Sequence, residues 1–379
     1  MSIKSGSVLK FSKNQKNPPR AGRIFMFLLT AVLAVTSVFT SSFAEAAVTS
    51  PPAETETALP APAETEAPAE TETPAETEDR SDPFPKVIDR INNPDLCPDF
   101  SFPEGADLLE IWFPPVKDQD AAIFLYQDHV WMLDCGDERS ATESVPMLRF
   151  LEATEVERII NTHPHHDHLN GLYYIDAMLP VRELMICFPE DSTIHMTAAM
   201  EYCKGNGIPI THYGDGDVLT MGDGAVRFEC IQKYPSDETS MNNQSAVFML
   251  TFGDCRMLFP ADREFPGQRF LCETLEPGRL KADILRYPHH GMDPLLEEFY
   301  QAVDPALAII TNSPRLLELR STSFLERHEL PHAYTKRRTF LLHLVTDGRH
   351  WLCEEVNQSL GPWTPSWEEL AEARREKLH

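Results

Sequence analysis

Ile159-Ile160-Asn161-Thr162-His163-Pro164-His165-His166-Asp167-His168-Leu169 is the stretch on which the reading of this chain turns. The run Val156 to Asn161 has the β-branched, largely apolar character of a strand, and the helix-like Leu169 to Met178 follows the histidines. His163 to His168 therefore forms a loop at a strand end. Pro164 biases His163 towards extended backbone, which lets alternate side chains turn to one side. Neutral imidazoles beside a carboxylate suit zinc or a similar divalent ion. A surface histidine cluster without function is the competing reading.

Further ligand types stand at other strand ends. Asp134 closes Trp131-Met132-Leu133, Asp262 follows Met257-Leu258-Phe259 through Pro260-Ala261, and His289-His290-Gly291 follows Ile284-Leu285-Arg286. Singly, a strand-end Asp is more often a turn-former, and a histidine pair more often packs in a core or lies on a surface. Together with the histidine run they outweigh the bland readings.

In order and spacing these residues resemble the metallo-β-lactamase fold superfamily. The strings His163-Pro164-His165-His166-Asp167-His168-Leu169-Asn170-Gly171-Leu172, Asn242 to Asp262 and Ala282 to Pro294 look most like its ComEC-like branch, the exported domain of a competence protein and its free-standing relatives. The resemblance covers about Asp107 to Glu354 and implies an α+β fold, an αββα sandwich of two mixed β-sheets flanked by helices, with the site at one edge between the sheets. It implies that His163 and His165 bind a first metal and that Asp167 and His168 bind a second. Asp262 would bridge the two, and His290 would complete the second site, with His289 the weaker alternative. Asp134 would orient the histidine loop from behind. Two divalent ions are implied, zinc first and manganese as the alternative, with a bridging hydroxide as nucleophile and Asp167 as the catalytic proton-transfer group.

One position departs from the pattern. The superfamily usually supplies another histidine to the first metal just before the strand that opens at Ser245, where this chain has Met241-Asn242-Asn243-Gln244. The first site is then expected to be weak, down to one metal in total, with Asn243 as a substitute oxygen ligand.

Around this core the chain divides into three. Residues 1–23 carry Lys4, Lys10, Lys13, Lys16, Arg20 and Arg23 without an acid; an apolar run to Phe39 and Ala44-Glu45-Ala46 follow, so 1–46 reads as a signal peptide, or as a membrane anchor if uncleaved. Residues 47–82 are a Pro/Ala/Glu/Thr-rich linker expected to be disordered and extended. Residues 83–379 form the metallo-β-lactamase-like domain, in which strand signals alternate with helices such as Ser144 to Leu151, and Trp363 to His379 reads as a short charged helix. The expected location is secreted or cell-surface.

A net charge of −26 over 379 residues argues against general affinity for polyanions, so nucleic acid is an expected substrate only on the resemblance. Basic residues between 270 and 340, Arg286 among them, read as solvated surface rather than as a phosphate groove. Eight cysteines without a CxxC pair, most of them in apolar runs, read as free buried thiols. The leading expectation is an exported metal-dependent hydrolase acting on a phosphodiester or a small molecule, with no stable protein partner. The alternatives are a lactone, β-lactam or choline-phosphate ester hydrolase and, in another class, a non-catalytic cell-surface binding module with a degenerate metal site.

Overall fold

The computed structural model describes residues 82–232, 240–315, 319–336, 340–358 and 360. The expected signal peptide, the linker up to residue 81 and the C-terminal helix at Trp363 to His379 lie outside them. Strands β1 (Val87–Asp89), β2 (Leu109–Phe113), β3 (Ala121–Tyr126), β4 (His129–Cys135), β5 (Arg158–Ile160), β6 (Leu184–Ile186) and β7 (Ile210–His212) belong to the first sheet. The second sheet takes β8 (Val218–Met221), β9 (Val226–Gln232), β10 (Val247–Phe252), β11 (Cys255–Phe259), β12 (Ile284–Arg286), β13 (Leu307–Ile310) and β14 (His332–Tyr334). The chain then returns to the first sheet through β15 (Phe340–Thr346) and β16 (Trp351–Asn357), which slot between β1 and β2. Both sheets are mixed.

Helices cover the outside. α1 (Glu138–Phe150) follows β4, α2 (His166–Leu169) and α3 (Leu172–Met178) follow β5, and α4 (Ile194–Asn206) follows β6. α5 (Met241–Gln244) precedes β10, and α6 (Phe265–Thr274), α7 (Glu297–Val303) and α8 (Leu319–Arg327) alternate with β11 to β14.

Side-chain alternation explains the layering, because neighbours along a strand face opposite ways. In β10, Phe248, Leu250 and Phe252 join the core between the sheets, while Val247 and Met249 pack in a second core with Leu271, Phe299 and Phe324 of the helices. Strands buried on both faces read as continuous apolar runs, as these do. Across the sandwich, the Phe124 ring of β3 meets Phe228 of β9 edge-on at 4.8 Å. The eight cysteines are free, and Cys135, Cys187, Cys203, Cys230, Cys255 and Cys353 are buried.

The topology also sets where chemistry can sit. β4 runs parallel to β5, and β11 runs parallel to β12 and through it to β13, so their carboxyl ends open on common edges. Backbone strain collects there: Asp134, Ala261, His289 and His290 adopt left-handed φ of 52°, 48°, 48° and 50°. A non-glycine residue pays about 1–2 kcal/mol for that conformation, which the surrounding packing must hold in place.

Candidate metal centre

The histidine loop is fixed from below by its neighbours in sequence. Asp137 caps α1 by accepting from the backbone N–H groups of Arg139 and Ser140, which turns the chain sharply after β4. Gly171 lies against that turn and donates its N–H to Gly136 O at 2.8 Å. A Cβ on Gly171 would fall 1.9 Å from Cys135 O, so only glycine lets α3 approach β4 this closely. The expected loop His163 to His168 turns helical at His166, where α2 begins, and the expected helix Leu169 to Met178 is split into α2 and α3 at this contact.

Asp167, His168, Asp262 and His290 bring one ligand atom each within 4.8 Å of one another. Nε2 of His168 lies 3.1 Å and Nε2 of His290 3.3 Å from Asp262 Oδ2, and His290 Nε2 lies 3.4 Å from Asp167 Oδ2. His163 stands next to this group with its Nε2 3.8 Å from the same Asp262 oxygen and 3.1 Å from His165 Nδ1. Asp262 Oδ2 is thus the point on which three imidazoles converge. Asp262 Oδ1 and His290 Nε2 are buried yet make no hydrogen bond. Two imidazoles and two carboxylates, with buried atoms left unpaired, form a donor set that fits a divalent cation.

Asp134 lies behind the loop. Its Oδ2 accepts from His168 Nδ1 at 2.8 Å and from Thr162 Oγ1 at 2.7 Å, and its Oδ1 accepts from the Thr162 N–H and from Asn161 Nδ2. A carboxylate at Nδ1 leaves Nε2 of His168 directed at the ligand group. Among the described residues, His163 and His165 belong to neither of the groups whose ligand atoms all lie within 4.8 Å of one another.

Two of the expected substitutes face elsewhere. Asn243 Oδ1 accepts from the backbone N–H groups of Glu264 and Gly267, and its Nδ2 donates to Glu264 Oε2. Its amide is therefore spent on the first turn of α6 rather than offered as a metal ligand. The buried Arg263 holds this loop in place, with Nη1 on Asn243 O and Nε on Ser245 O. His289 turns Nδ1 to Asp293 and Nε2 towards Asn242, outside the group of four.

Three contributors were not singled out from sequence as site residues. Asp120, Thr311 and Arg286 are all buried beside the centre, which corrects the reading of Arg286 as solvated surface. Arg286 pairs with Asp120, and a lone charge closing an apolar strand before a histidine pair was the available signal.

The charges of the group act on one another. Burial lowers the basicity of His290, but the Asp262 charge and the Asp167 and Asp262 carboxylates beside its Nε2 override it and lift the imidazole to about 9. The His168 imidazole is likewise raised, with burial outweighed by Asp262 and Asp134. Burial and the neighbouring His168 charge hold His163 well below the usual range. Burial would raise the Asp262 carboxyl, but the His290 and His168 charges pull it well below its ordinary value.

Residues 118–186, which contain Asp134 and the whole histidine run, match the family described as the metallo-beta-lactamase superfamily. The match stops short of Asp262 and His290. The two mixed sheets with outer helices are consistent with the metallo-beta-lactamase fold. The chain is similar to a metal-dependent hydrolase from Parabacteroides distasonis, at 15% identity over 60% of this chain and 93% of that one, TM-score 0.39. It is also similar to MEM-A1, a subclass B3 metallo-beta-lactamase from a soil metagenome library, at 14% identity over 50% of this chain and 80% of that one, TM-score 0.35. CmlA, a diiron beta-hydroxylase from Streptomyces venezuelae, shares 11% identity over 62% of this chain and 53% of its own length, TM-score 0.40.

Proposed function

We propose that this chain is an exported metal-dependent hydrolase whose metal ligands are Asp167, His168, Asp262 and His290, with His163 and His165 forming a weaker adjoining site. The observation that carries the reading is the convergence of these side chains on Asp262 Oδ2, with His290 Nε2 and Asp262 Oδ1 buried without a hydrogen bond. A divalent ion held there lowers the pKa of a bound water and polarises the centre under attack. Asp134 fixes the His168 ring; burial would raise the carboxyl of Asp167, but His290 and His168 hold it below its ordinary value, so the proton-transfer role we assign to it starts from an ionised carboxylate. The substrate class we favour is a phosphodiester, on the strength of the ComEC-like strings; lactones, β-lactams and choline-phosphate esters are the other esters and amides to try. Export rests on the 1–46 segment.

The test uses the full chain. Metal content per chain is measured, followed by turnover of bis(p-nitrophenyl) phosphate and of an ester, lactone and β-lactam panel, with and without chelator. We expect at least one ion per chain and chelator-sensitive hydrolysis that Asp167→Ala abolishes without unfolding the protein. Metal uptake without turnover of any member would favour the binding module, and full activity in Asp167→Ala would sink the proposed role of that carboxylate.

A further inference from the structure

Arg286 lies outside the group of four, and its guanidinium is used on every side. Nε donates to Asp120 Oδ1 at 3.0 Å and Nη1 donates to Ala261 O at 2.6 Å. Nη2 pairs with Asp120 Oδ2, donates to Thr311 Oγ1 at 3.0 Å and faces His290 Nδ1 at 3.2 Å. Asp120 in turn donates its backbone N–H to Asp167 O at 3.2 Å. One buried ion pair thus touches His290 directly, Asp262 through the carbonyl of the residue before it, and Asp167 through its own carbonyl.

We propose that Arg286, with Asp120 as its counter-charge, is a positioning residue that sets Asp167, Asp262 and His290 in register for a cation. The proposal rests on reading those residues as metal ligands. A planar guanidinium with five donors suits the task, because it fixes several partners in one plane where an ammonium fixes a point. Asp120 needs such a partner. With Asp134 and His168 it makes a second group whose ligand atoms lie within 4.8 Å of one another, and its Oδ2 is 3.9 Å from His168 Nδ1. Held by Arg286, Asp120 is kept from competing with Asp134 for that ring. The cavity bounded by Asp120, Asp134, Thr162, Arg286 and Thr311 is only about 10 Å³, room for about one water, so these side chains have little space to rearrange.

Two physical effects of Arg286 oppose each other, which makes the sign of the outcome decisive. Its Nη1 stands 3.6 Å from Asp262 Oδ1, and a fixed positive charge there repels a cation. On charge alone, removing it would tighten metal binding. On positioning, removal loosens three ligands and weakens binding, and support of this kind is worth roughly 10–100-fold in metal affinity.

The experiment strips the full chain with chelator and titrates Zn²⁺ against a chromophoric competitor, with the thermal melt of each stripped protein recorded alongside. Arg286→Met is expected to bind zinc about 10–100-fold more weakly than the unaltered chain, and Arg286→Lys to recover part of that loss. The pair Arg286→Met with Asp120→Leu keeps the net charge and leaves no unpaired ion, so it decides the matter if the single variant does not fold. It too is expected to bind more weakly. Equal or tighter zinc binding by a folded Arg286→Met or by the folded pair would overturn the proposal while leaving the metal-ligand reading intact. No zinc uptake by the unaltered chain would instead remove the reading on which both stand.

Discussion

His168 reaches Asp134 through Nδ1 at 2.8 Å and presents the opposite edge of its ring to Asp262. The imidazole is thereby gripped by an anion on one side and directed at the ligand group on the other. Asp134→Asn keeps the shape but removes that charge, and we expect about 10–100-fold weaker metal binding, measured by chelator competition. Asp134→Ala, which also strands Thr162 and Asn161, should in addition destabilise the fold by about 1–3 kcal/mol in urea unfolding.

Metal binding should be proton-coupled. In the metal-stripped protein His290 is lifted to about 9 and His168 is raised well above its ordinary value, so both carry protons at neutral pH that a metal must displace. Affinity is expected to rise with pH towards about 9, with proton release visible as a buffer-dependent heat in calorimetry.

The same shift sets the opposite trend for stability without metal. A histidine whose folded pKa is raised contributes stability that is complete below its unfolded value of about 6.5 and is lost as pH climbs through the folded value. The melting temperature of the stripped protein should therefore receive a falling contribution from His290 as pH rises from 6.5 to about 9. His290→Gln should flatten that part of the profile.

Asn243→Ala should leave metal stoichiometry unchanged, since the amide serves the first turn of α6. Loss of that cap is expected to cost about 0.5–2 kcal/mol by chemical denaturation. A fall in bound metal per folded chain would show instead that Asn243 acts as a ligand.

Gly171→Ala should be among the most damaging small substitutions near the site. The added methyl meets the Cys135 carbonyl, and relief requires α3 to move away from β4 and carry the histidine loop with it. We expect a loss of about 1–3 kcal/mol or more and weaker metal binding together.

Much of the fold was legible because strand alternation and turn residues repeat through the chain. Sequence placed the strand Met257-Leu258-Phe259 inside the observed β11, and it read Ser144 to Leu151 as helical where α1 begins earlier, at Glu138. The short β1 and β14 carry three residues each, too few for a periodic signal, and take their conformation from pairing with β16 and β13. At the site, His, Asp and strand-end position were visible locally, but the direction of a side chain was not. The direction of Asn243 depends on Arg263, twenty residues on, whose guanidinium holds the Asn243 carbonyl. Arg286 was misread because its partner Asp120 is 166 residues away.

The two sheets divide the ligands between them. Asp167 and His168 follow β5 of the first sheet, and Asp262 and His290 follow β11 and β12 of the second. An ion seated among them would tie one half of the sandwich to the other, adding to the apolar core that already joins the two sheets. A chain emerging from a ribosome offers an ion only the histidine run until Asp262 is out, and the group of four only once His290 follows. Tight binding of an ion would then be a late step, after the second sheet has formed. Fragments ending before Asp262 should accordingly retain zinc far less tightly than the full chain in equilibrium dialysis, and the metal a cell supplies at the site of final folding would decide which ion the protein carries.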